Sequence, residues 1–380
     1  MIITIITFFA VLGLLVLVHE AGHFVTARRA GVKVDEFGLG LPPRIFGFYR
    51  DEKGKRKMVG PKVKEVGSTI WSLNWIPLGG FVKIKGEEGD ERQDPDSFAS
   101  KSVGTRIRII SAGVFMNIVL AIVLLTIILG VGSPQVIDEE IMSSQAVVKN
   151  IEIRVLEVLE DSPASRAGFE IADTIVGVDG NKFNTIEELQ VYFDQKMGSE
   201  VSLEIKRKNE ILNITAIPEI ISKTEKAGLG VALIRTGYVS YPWYVAPIYG
   251  IRETFKMVGS IFVGFYMIIK NLIVSQELIG EVYGPVGIAG LVGDAVKLGF
   301  LYLVQFTAIL SIIIAVINFL PFPALDGGRV LFLIIEGLRG KPINQKVEAL
   351  VHNIGFALLM ILVLIVTFRD IARISAGFFS

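Results

Sequence analysis

Four long stretches of the chain carry no acidic or basic side chain apart from one histidine, and the segments between them mix polar and apolar residues. The stretches are residues 1–18, 109–137, 298–325 and 349–368, the last of which contains His352. A helix needs about 20 mostly apolar residues to cross the hydrocarbon of a membrane. The pattern therefore predicts four transmembrane helices. We place them at residues 1–23, 107–132, 299–325 and 349–369.

The first stretch also has the length of a cleaved signal peptide. However, no basic residue precedes its apolar run, and His19-Glu20-Ala21-Gly22-His23 follows where a cleavage site of small residues would stand. A retained spanning helix is therefore the favoured interpretation.

A shorter apolar run, residues 257–269, lies between Lys256 and Lys270. Its length of 13 residues is typical of an interfacial or re-entrant helix rather than a span. We therefore predict an interfacial, amphipathic region at residues 250–297.

The amino-acid composition limits the classes of protein to which this chain can belong. Hydrophobic residues make up 51% of the 380 positions and charged residues 20%, and the mean hydropathy is +0.56. Because the uncharged stretches hold a quarter of the chain, the remainder has the charge density of a water-facing protein. These values exclude a fully soluble enzyme, a compact all-membrane transporter and a disordered chain, and the absence of cysteine excludes a disulfide framework.

The zero net charge conceals a local asymmetry. Residues 24–106 hold 16 Lys and Arg against 11 Asp and Glu, whereas residues 138–256 hold 13 against 19. Basic loops favour the cytoplasm. We therefore predict that residues 24–106 and the loop 326–348 lie inside, and that residues 138–297 and both termini lie outside.

His19-Glu20-Ala21-Gly22-His23 continues the first apolar helix. Imidazoles at i and i+4 lie on one helix face, so both can bind one Zn²⁺, and Glu20 lies about 100° round the helix, where it can act as a general base without being a ligand. The alternative is a pair of polar residues reaching towards the interface. Ionisable groups at the edge of a span are costly unless they function, which favours the metal site.

A catalytic zinc uses three protein ligands and one open position, so a third ligand is required. Asp326 follows the third uncharged stretch, and under the predicted orientation it lies at a similar depth to His19, near the cytoplasmic side. Pro321 and Pro323 interrupt the third helix just before it, which lets the carboxylate turn inward. His352 is the rival ligand, but at the start of the fourth span an interfacial role is favoured.

Together these motifs resemble the site-2 protease family of intramembrane zinc metalloproteases, in its bacterial regulator-of-sigma-E protease branch. The resemblance covers nearly the whole chain. It includes Pro77-Leu78-Gly79-Gly80-Phe81-Val82-Lys83, Gly284-Pro285-Val286-Gly287-Ile288 and Pro323-Ala324-Leu325-Asp326-Gly327-Gly328-Arg329. It implies that His19, His23 and Asp326 bind Zn²⁺ and that Glu20 is the catalytic acid and base. The second span departs from the branch, because Val114 stands where a proline usually follows Gly113.

The implied function is regulated intramembrane proteolysis of single-span membrane proteins. Zinc lowers the pKa of bound water to about 7, and Glu20 is expected to take its proton and deliver it to the leaving amine. Anti-sigma factors and remnant signal peptides are the expected substrates. The expected location is the inner membrane of a bacterium, in contact with the lipid bilayer and without a nucleic acid partner.

A substrate helix hides its carbonyl groups in its own hydrogen bonds, so it has to be unwound before cleavage. Residues 69–76 and 81–85 are β-prone and flank the turn Pro77-Leu78-Gly79-Gly80, which predicts a hairpin, either a plain surface hairpin or the family's membrane re-entrant β-loop. Its free edge can hold substrate by strand addition. Residues 38–43 are predicted as a loop near the site. The predicted substrate-binding residues are Gly79, Gly80, Phe81, Asn117 and Asn318.

Residues 150–234 resemble a PDZ domain, with one helical stretch at residues 185–196. The similarity lies in residues 161–168 and 172–180, where Ala172 replaces the usual glycine. Gly228-Leu229-Gly230-Val231 is either an ordinary turn, the favoured reading for a lone Gly-x-Gly, or a loop that binds a peptide C-terminus. Such a module can filter substrates by size or recruit a new C-terminus, and the resemblance favours the filter.

The sequence thus predicts a membrane α-helical protein of four transmembrane helices with a membrane re-entrant β-loop and an inserted extracytoplasmic PDZ (α+β) domain. Two other functional classes compete with the protease. A PDZ scaffold or chaperone with a structural metal has no use for Glu20 beside the ligands. A metal transporter is disfavoured because the chain has no inverted repeat and no further carboxylates within its spans.

Overall fold

The computed structural model describes residues 2–63, 66–87, 91–207, 210–221, 226–274 and 283–378, so parts of the predicted cytoplasmic, PDZ and interfacial regions lie outside the described residues. The first elements are α1 (Ile2–Arg29), β1 (Val34–Arg50), β2 (Arg56–Val59), β3 (Ile70–Ile84) and α2 (Val103–Val131). The next are β4 (Ser133–Val136), α3 (Glu139–Met142), β5 (Val147–Val158), α4 (Pro163–Ala167), β6 (Thr174–Val178), α5 (Ile186–Gln195), β7 (Val201–Arg207), β8 (Glu210–Ala216), β9 (Glu219–Ile221), β10 (Lys226–Gly228) and β11 (Val231–Ser240). The last are α6 (Ala246–Val274), α7 (Pro285–Leu298), α8 (Phe300–Phe319), α9 (Asp326–Arg339) and α10 (Gln345–Phe378).

Four helices of the described chain are long and apolar enough to cross a membrane: α1, α2, α8 and α10 up to Arg373. They coincide with the four predicted spans. Helix α1 continues to Arg29, beyond its predicted end, so the histidine motif lies within the helix. Helix α8 ends at Phe319 rather than at Leu325, because Leu320 takes the extended conformation that a following proline imposes.

The segment 326–348 was predicted as a loop, but it contains the 14-residue helix α9. The helix begins at Asp326 and ends at Arg339, followed by Gly340, which adopts the left-handed conformation that commonly terminates helices. The prediction was wrong because α9 is too short for a span and its charged residues resemble loop composition. Asp326 is therefore the first residue of a helix.

Strands β1, β2 and β3 form a sheet in the order β2-β1-β3. Glu36 pairs with both Lys83 and Ile70, so the first half of β1 lies between the two arms of β3. The predicted hairpin of residues 69–76 with 81–85 is therefore wrong in its pairing: each arm pairs with β1. The β-prone runs were identified correctly, but their pattern does not show that a third segment separates them.

Residues 38–43, predicted as a loop, belong to β1. Their glycines and prolines mark a bend, where the register with β3 shifts between Leu41 and Arg44. Arg44 then forms an ion pair with Glu36 across the bend. The outer edge of residues 80–84 pairs with no other strand among the described residues.

Residues 126–249 form a separate compact unit. Six of its eight described strands make an antiparallel sheet in the order β4-β11-β5-β6-β7-β8, which extends the predicted module at both ends, and β9 pairs with β10 in a second sheet. A buried apolar cluster that includes Ile153, Leu189 and Leu203 forms its core. Helix α5 matches the predicted helical stretch, and the side chain of Thr185 caps its first turn. Ala172 takes a φ of 73°, the left-handed conformation for which glycine is the usual residue.

Helix α7 packs against α1, α8 and α10. Its Gly293 faces Thr4 of α1, and the backbone N–H of Gly287 donates to the Asp370 carboxylate of α10. Such burial differs from the amphipathic, interfacial character predicted for residues 250–297, as far as the part of that region in α7 is concerned. Helix α6 contains the predicted run 257–269 and leaves many apolar side chains exposed, among them Ile248, Phe255 and Tyr266.

Candidate metal centre and its surroundings

Helix α1 presents both motif histidines to Asp326. The Oδ2 atom of Asp326 lies 3.0 Å from Nε2 of His19 and 3.4 Å from Nε2 of His23. The two Nε2 atoms are 3.2 Å apart, and one ligand atom from each of the three residues lies within 4.8 Å of the others. No other group of three such side chains meets this criterion in the part of the chain that the structure describes.

The turn between α8 and α9 delivers Asp326 to this position. An added Cβ atom at Gly327 or Gly328 would stand 2.3 Å from a backbone carbonyl oxygen of the preceding turn, so only glycine fits there. Ala324 has a φ of 79°. The turn is therefore tightly folded, and its geometry decides where the carboxylate points.

Asp326 is held in the ionised form. Burial by itself raises a carboxyl pKa, but the imidazoles of His19 and His23 beside the carboxylate outweigh burial and hold the pKa of Asp326 well below its ordinary value. An ionised carboxylate is the form that binds a metal cation.

Helix α2 contacts the ring nitrogens that face away from Asp326. Nδ1 of His23 lies 2.9 Å from the carbonyl oxygen of Ile109, which can only accept a hydrogen bond. The ring proton therefore lies on Nδ1, and Nε2 is free to bind a metal. Nδ1 of His19 lies 3.4 Å from the side-chain amide of Asn117, which is completely buried.

Gly113 makes room for the two imidazoles. A Cβ atom there would stand 2.4 Å from Nε2 of His23 and 2.7 Å from Cε1 of His19. Any side chain would thus occupy the space between α2 and the ligand atoms. Helix α2 passes so close to α1 only because this position has none.

These residues fit a zinc ion. Two neutral imidazoles and one carboxylate are a ligand set typical of catalytic zinc, which keeps one position open. The buried Oδ2 of Asp326 has no hydrogen-bond partner among the described residues, and Gly113 leaves the space beside the ligands clear.

Glu20 lies outside the ligand set, beside the sheet. A Cβ atom at Gly80 would stand 3.9 Å from Cγ of Glu20 and 2.8 Å from the carbonyl oxygen of Gly38. A Cβ atom at Gly79 would stand 2.9 Å from the side chain of Val16. The arm of β3 with the free edge therefore lies directly along the face of α1 that carries Glu20.

The remaining predicted site residues do not belong to the group of three ligand residues. Phe81 pairs with Gly38 of β1 and lies in the edge arm of β3. Asn117 contacts His19 rather than an open surface, and Asn318 is half-buried on α8. His352, the rival ligand, is not in the group: its Nδ1 accepts a hydrogen bond from the N–H of Ala324.

The sequence did not indicate the roles of Ile109 and Gly113. Ile109 acts through its backbone carbonyl group and Gly113 through its lack of a side chain, and neither property identifies a site residue in a sequence motif. It also did not indicate the ion pair between Glu87, just after β3, and Arg329, one turn after Asp326. A cavity of about 370 Å³ lies beside Asp326, lined also by Arg329 and His352.

A sequence model of peptidase family M50 matches residues 7–362. A relative from Clostridium perfringens is 36% identical over 360 residues, which cover 94% of this chain and 95% of the relative. The regulator of sigma-W protease RasP of Bacillus subtilis is 29% identical over 455 residues, which cover 98% of this chain and 99% of that protein. Among solved structures, the PDZ domain of an SdrC-like protein from Listeria innocua is 30% identical, covering 22% of this chain and 92% of that chain with a TM-score of 0.20.

Proposed function

Since this chain belongs to peptidase family M50 and is a zinc metalloprotease, we propose that it cleaves single-span membrane proteins within the bilayer. One observation carries the proposal: two ligands lie on α1, a helix apolar enough to span a membrane, and the third follows α8, another such helix. A protease that acts only on soluble chains has no need to place its centre between apolar helices.

His19, His23 and Asp326 would hold the zinc. When bound, zinc polarises the scissile carbonyl group and makes a water molecule acidic enough to attack near neutral pH. Ile109 keeps the proton of His23 on Nδ1. Asn117 performs the same task for His19, because turning its amide points Oδ1 at Nδ1–H, which also gives a partner to an oxygen otherwise buried without one.

Glu20 would receive the proton of the attacking water and return it to the leaving amine. Its position fits this role because its carboxylate is one residue round the helix from His19 and is not among the ligands. It also lies beside Gly80, so a substrate segment next to the edge strand passes within reach of it.

The free edge of residues 80–84 would hold the unwound substrate by adding a strand to the sheet. Trp71 and Trp75 support the placement of this sheet at the membrane, since 50% and 68% of their surfaces are exposed and aromatic side chains favour the interface. The re-entrant position of the sheet, the cytoplasmic depth of the centre and the outside location of both termini are parts of this proposal.

Anti-sigma factors are the substrate class that the proposal favours, because a 29% identical relative is named as a regulator of sigma-W protease. The PDZ-like module would then act outside as a filter against substrates with large outer domains. Recruitment of a peptide C-terminus by residues 228–231 is the other role considered for it.

Two single-carboxylate variants test the proposal. The full-length protein is purified in detergent, its zinc content is measured, and cleavage of a synthetic transmembrane peptide is followed. Glu20→Gln should keep zinc and lower kcat at least about 100-fold, the size of a general-base contribution. Asp326→Ala should lose both zinc and cleavage. Full activity of Glu20→Gln, or normal zinc content of Asp326→Ala, would refute the assigned roles.

A further inference from the structure

His352 lies against the turn that delivers Asp326. Its Nδ1 atom is 2.9 Å from the backbone nitrogen of Ala324, which donates the hydrogen bond. Ala324 precedes Asp326 by two residues and has a φ of 79°, a conformation that is unfavourable for a residue with a Cβ atom. Such a turn persists only when its surroundings hold it in place.

A second contact of α10 supports the same turn. Gly355 lies one helical turn after His352, and a Cβ atom there would stand 2.4 Å from Cβ of Pro323 and 2.7 Å from its carbonyl oxygen. Residues three apart share a helix face. One face of α10 therefore holds Pro323 by close packing and Ala324 by a hydrogen bond.

The hydrogen bond also fixes the tautomer of His352. Because Nδ1 accepts from Ala324, the ring proton lies on Nε2. Nε2 is buried without a hydrogen-bond partner within the described residues, and the ring lines the cavity of about 370 Å³ beside Asp326. His352 supplies no ligand atom to the metal centre. Its side chain instead holds the backbone of Ala324, two residues before the proposed ligand Asp326.

We propose that His352 is a positioning residue for the metal centre: by accepting the Ala324 hydrogen bond it fixes the turn, and with it the direction in which the Asp326 carboxylate points at His19 and His23. The inference rests on the proposed role of Asp326 as a ligand. Residues that orient metal ligands typically change metal affinity 10- to 100-fold when they are replaced.

Three variants of the full-length protein test the proposal. His352→Leu removes the acceptor but keeps a side chain of moderate size, and His352→Asn offers Oδ1 near the position of Nδ1. Asn353→Leu is the matched control, because Asn353 is the next residue and lines the same cavity but makes no described hydrogen bond to the turn. Zinc affinity is measured by competition with a chelator, and ligand geometry by the visible absorption of the Co²⁺-substituted protein.

His352→Leu should bind zinc at least about tenfold more weakly and shift the Co²⁺ absorption bands. His352→Asn should retain most of the affinity and the wild-type bands, and Asn353→Leu should behave as wild type. The proposal is overturned if His352→Leu matches wild type in both measurements, or if His352→Asn loses as much affinity as His352→Leu.

Asp326→Ala is measured alongside to separate the two hypotheses. If Asp326→Ala keeps its zinc, the ligand assignment of the proposed function fails. If Asp326→Ala loses zinc while His352→Leu keeps normal affinity and absorption, only the role of His352 fails.

Discussion

Gly113 of α2 lies directly against His23 of α1: a Cβ atom on Gly113 would stand 2.4 Å from the Nε2 atom that faces Asp326. The absence of a side chain at one position thus keeps the ligand atoms accessible. The motif residues alone do not make a metal centre, because the neighbouring helix has to leave the space for it.

Gly113→Ala should therefore weaken zinc binding strongly. The added methyl group either fills the space beside the ligands or pushes α2 away, which also lengthens the hydrogen bond between Ile109 and His23. We expect at least a 100-fold loss of zinc affinity, at the upper end of what changes around a ligand shell cause. Zinc content and chelator competition measure it.

Gly104→Ala is the matched control for this change. Gly104 lies on the same helix and a Cβ atom there has nothing within 4 Å. This variant should bind zinc as wild type does and gain slightly in stability, since alanine favours helix more than glycine. Equal zinc affinity in both variants would show that the space beside His23 is not needed.

Gly80→Ala should impair cleavage and leave zinc binding intact. Its Cβ atom would stand 2.8 Å from the carbonyl oxygen of Gly38, so the edge strand has to shift relative to α1 and Glu20. A misplacement of about 1 Å can lower a rate about 100-fold. We expect that loss in kcat/KM on a transmembrane peptide, with unchanged zinc content.

Gly67→Ala serves as its control, because a Cβ atom at Gly67 has nothing within 4 Å. Gly67 precedes β3, and the Gly67→Ala variant should still cleave the transmembrane peptide. If Gly80→Ala cleaves at the wild-type rate, strand addition at this edge does not present the substrate.

The stability of the PDZ-like module should decrease in acid through Asp173. Arg207 donates two hydrogen bonds to this buried carboxylate, of 2.9 and 2.8 Å. Burial raises its pKa, but these bonds and the N–H of Glu170 outweigh burial and lower the pKa of Asp173. The lowered pKa stabilises the folded state above the pKa of the unfolded chain, about 3.9, and this contribution is lost as the pH falls through the folded value.

Thermal unfolding of the full-length protein between pH 3 and 7 measures this effect. Asp173→Asn should destabilise the module by about 3 kcal/mol at pH 7, because Arg207 loses its buried partner, and its stability should fall less steeply in acid. Glu200→Gln, at an exposed position before β7, should follow the wild-type curve. A wild-type decline in Asp173→Asn would assign the acid sensitivity to other groups.

The spans and the motif were predictable because each is local. Length and lack of charge identify a membrane helix, and the spacing of His19 and His23 places them on one face whatever surrounds them. The position of Asp326 close to the two histidines was predictable because it follows an uncharged stretch that contains prolines.

The rest depends on contacts between distant segments. The first half of β1 inserts between two β-prone runs, and no pattern within those runs shows this. His352 carries the chemistry of a ligand, yet its hydrogen bond to Ala324 joins segments 28 residues apart. Asn117 was predicted to bind substrate, and only the packing of α2 against α1 shows that it contacts His19.

Helix α1 carries both histidines and also the surface along which Gly79 and Gly80 lie. Under the proposed function, this shared helix fixes the distance between the substrate-binding edge strand and the metal centre. A substrate held along the edge strand advances about 3.3 Å for each residue, so the bond that is cut is selected by counting residues from the strand rather than by reading a side chain. Substrates of unrelated sequence can then be cut, provided that they unwind at the right depth.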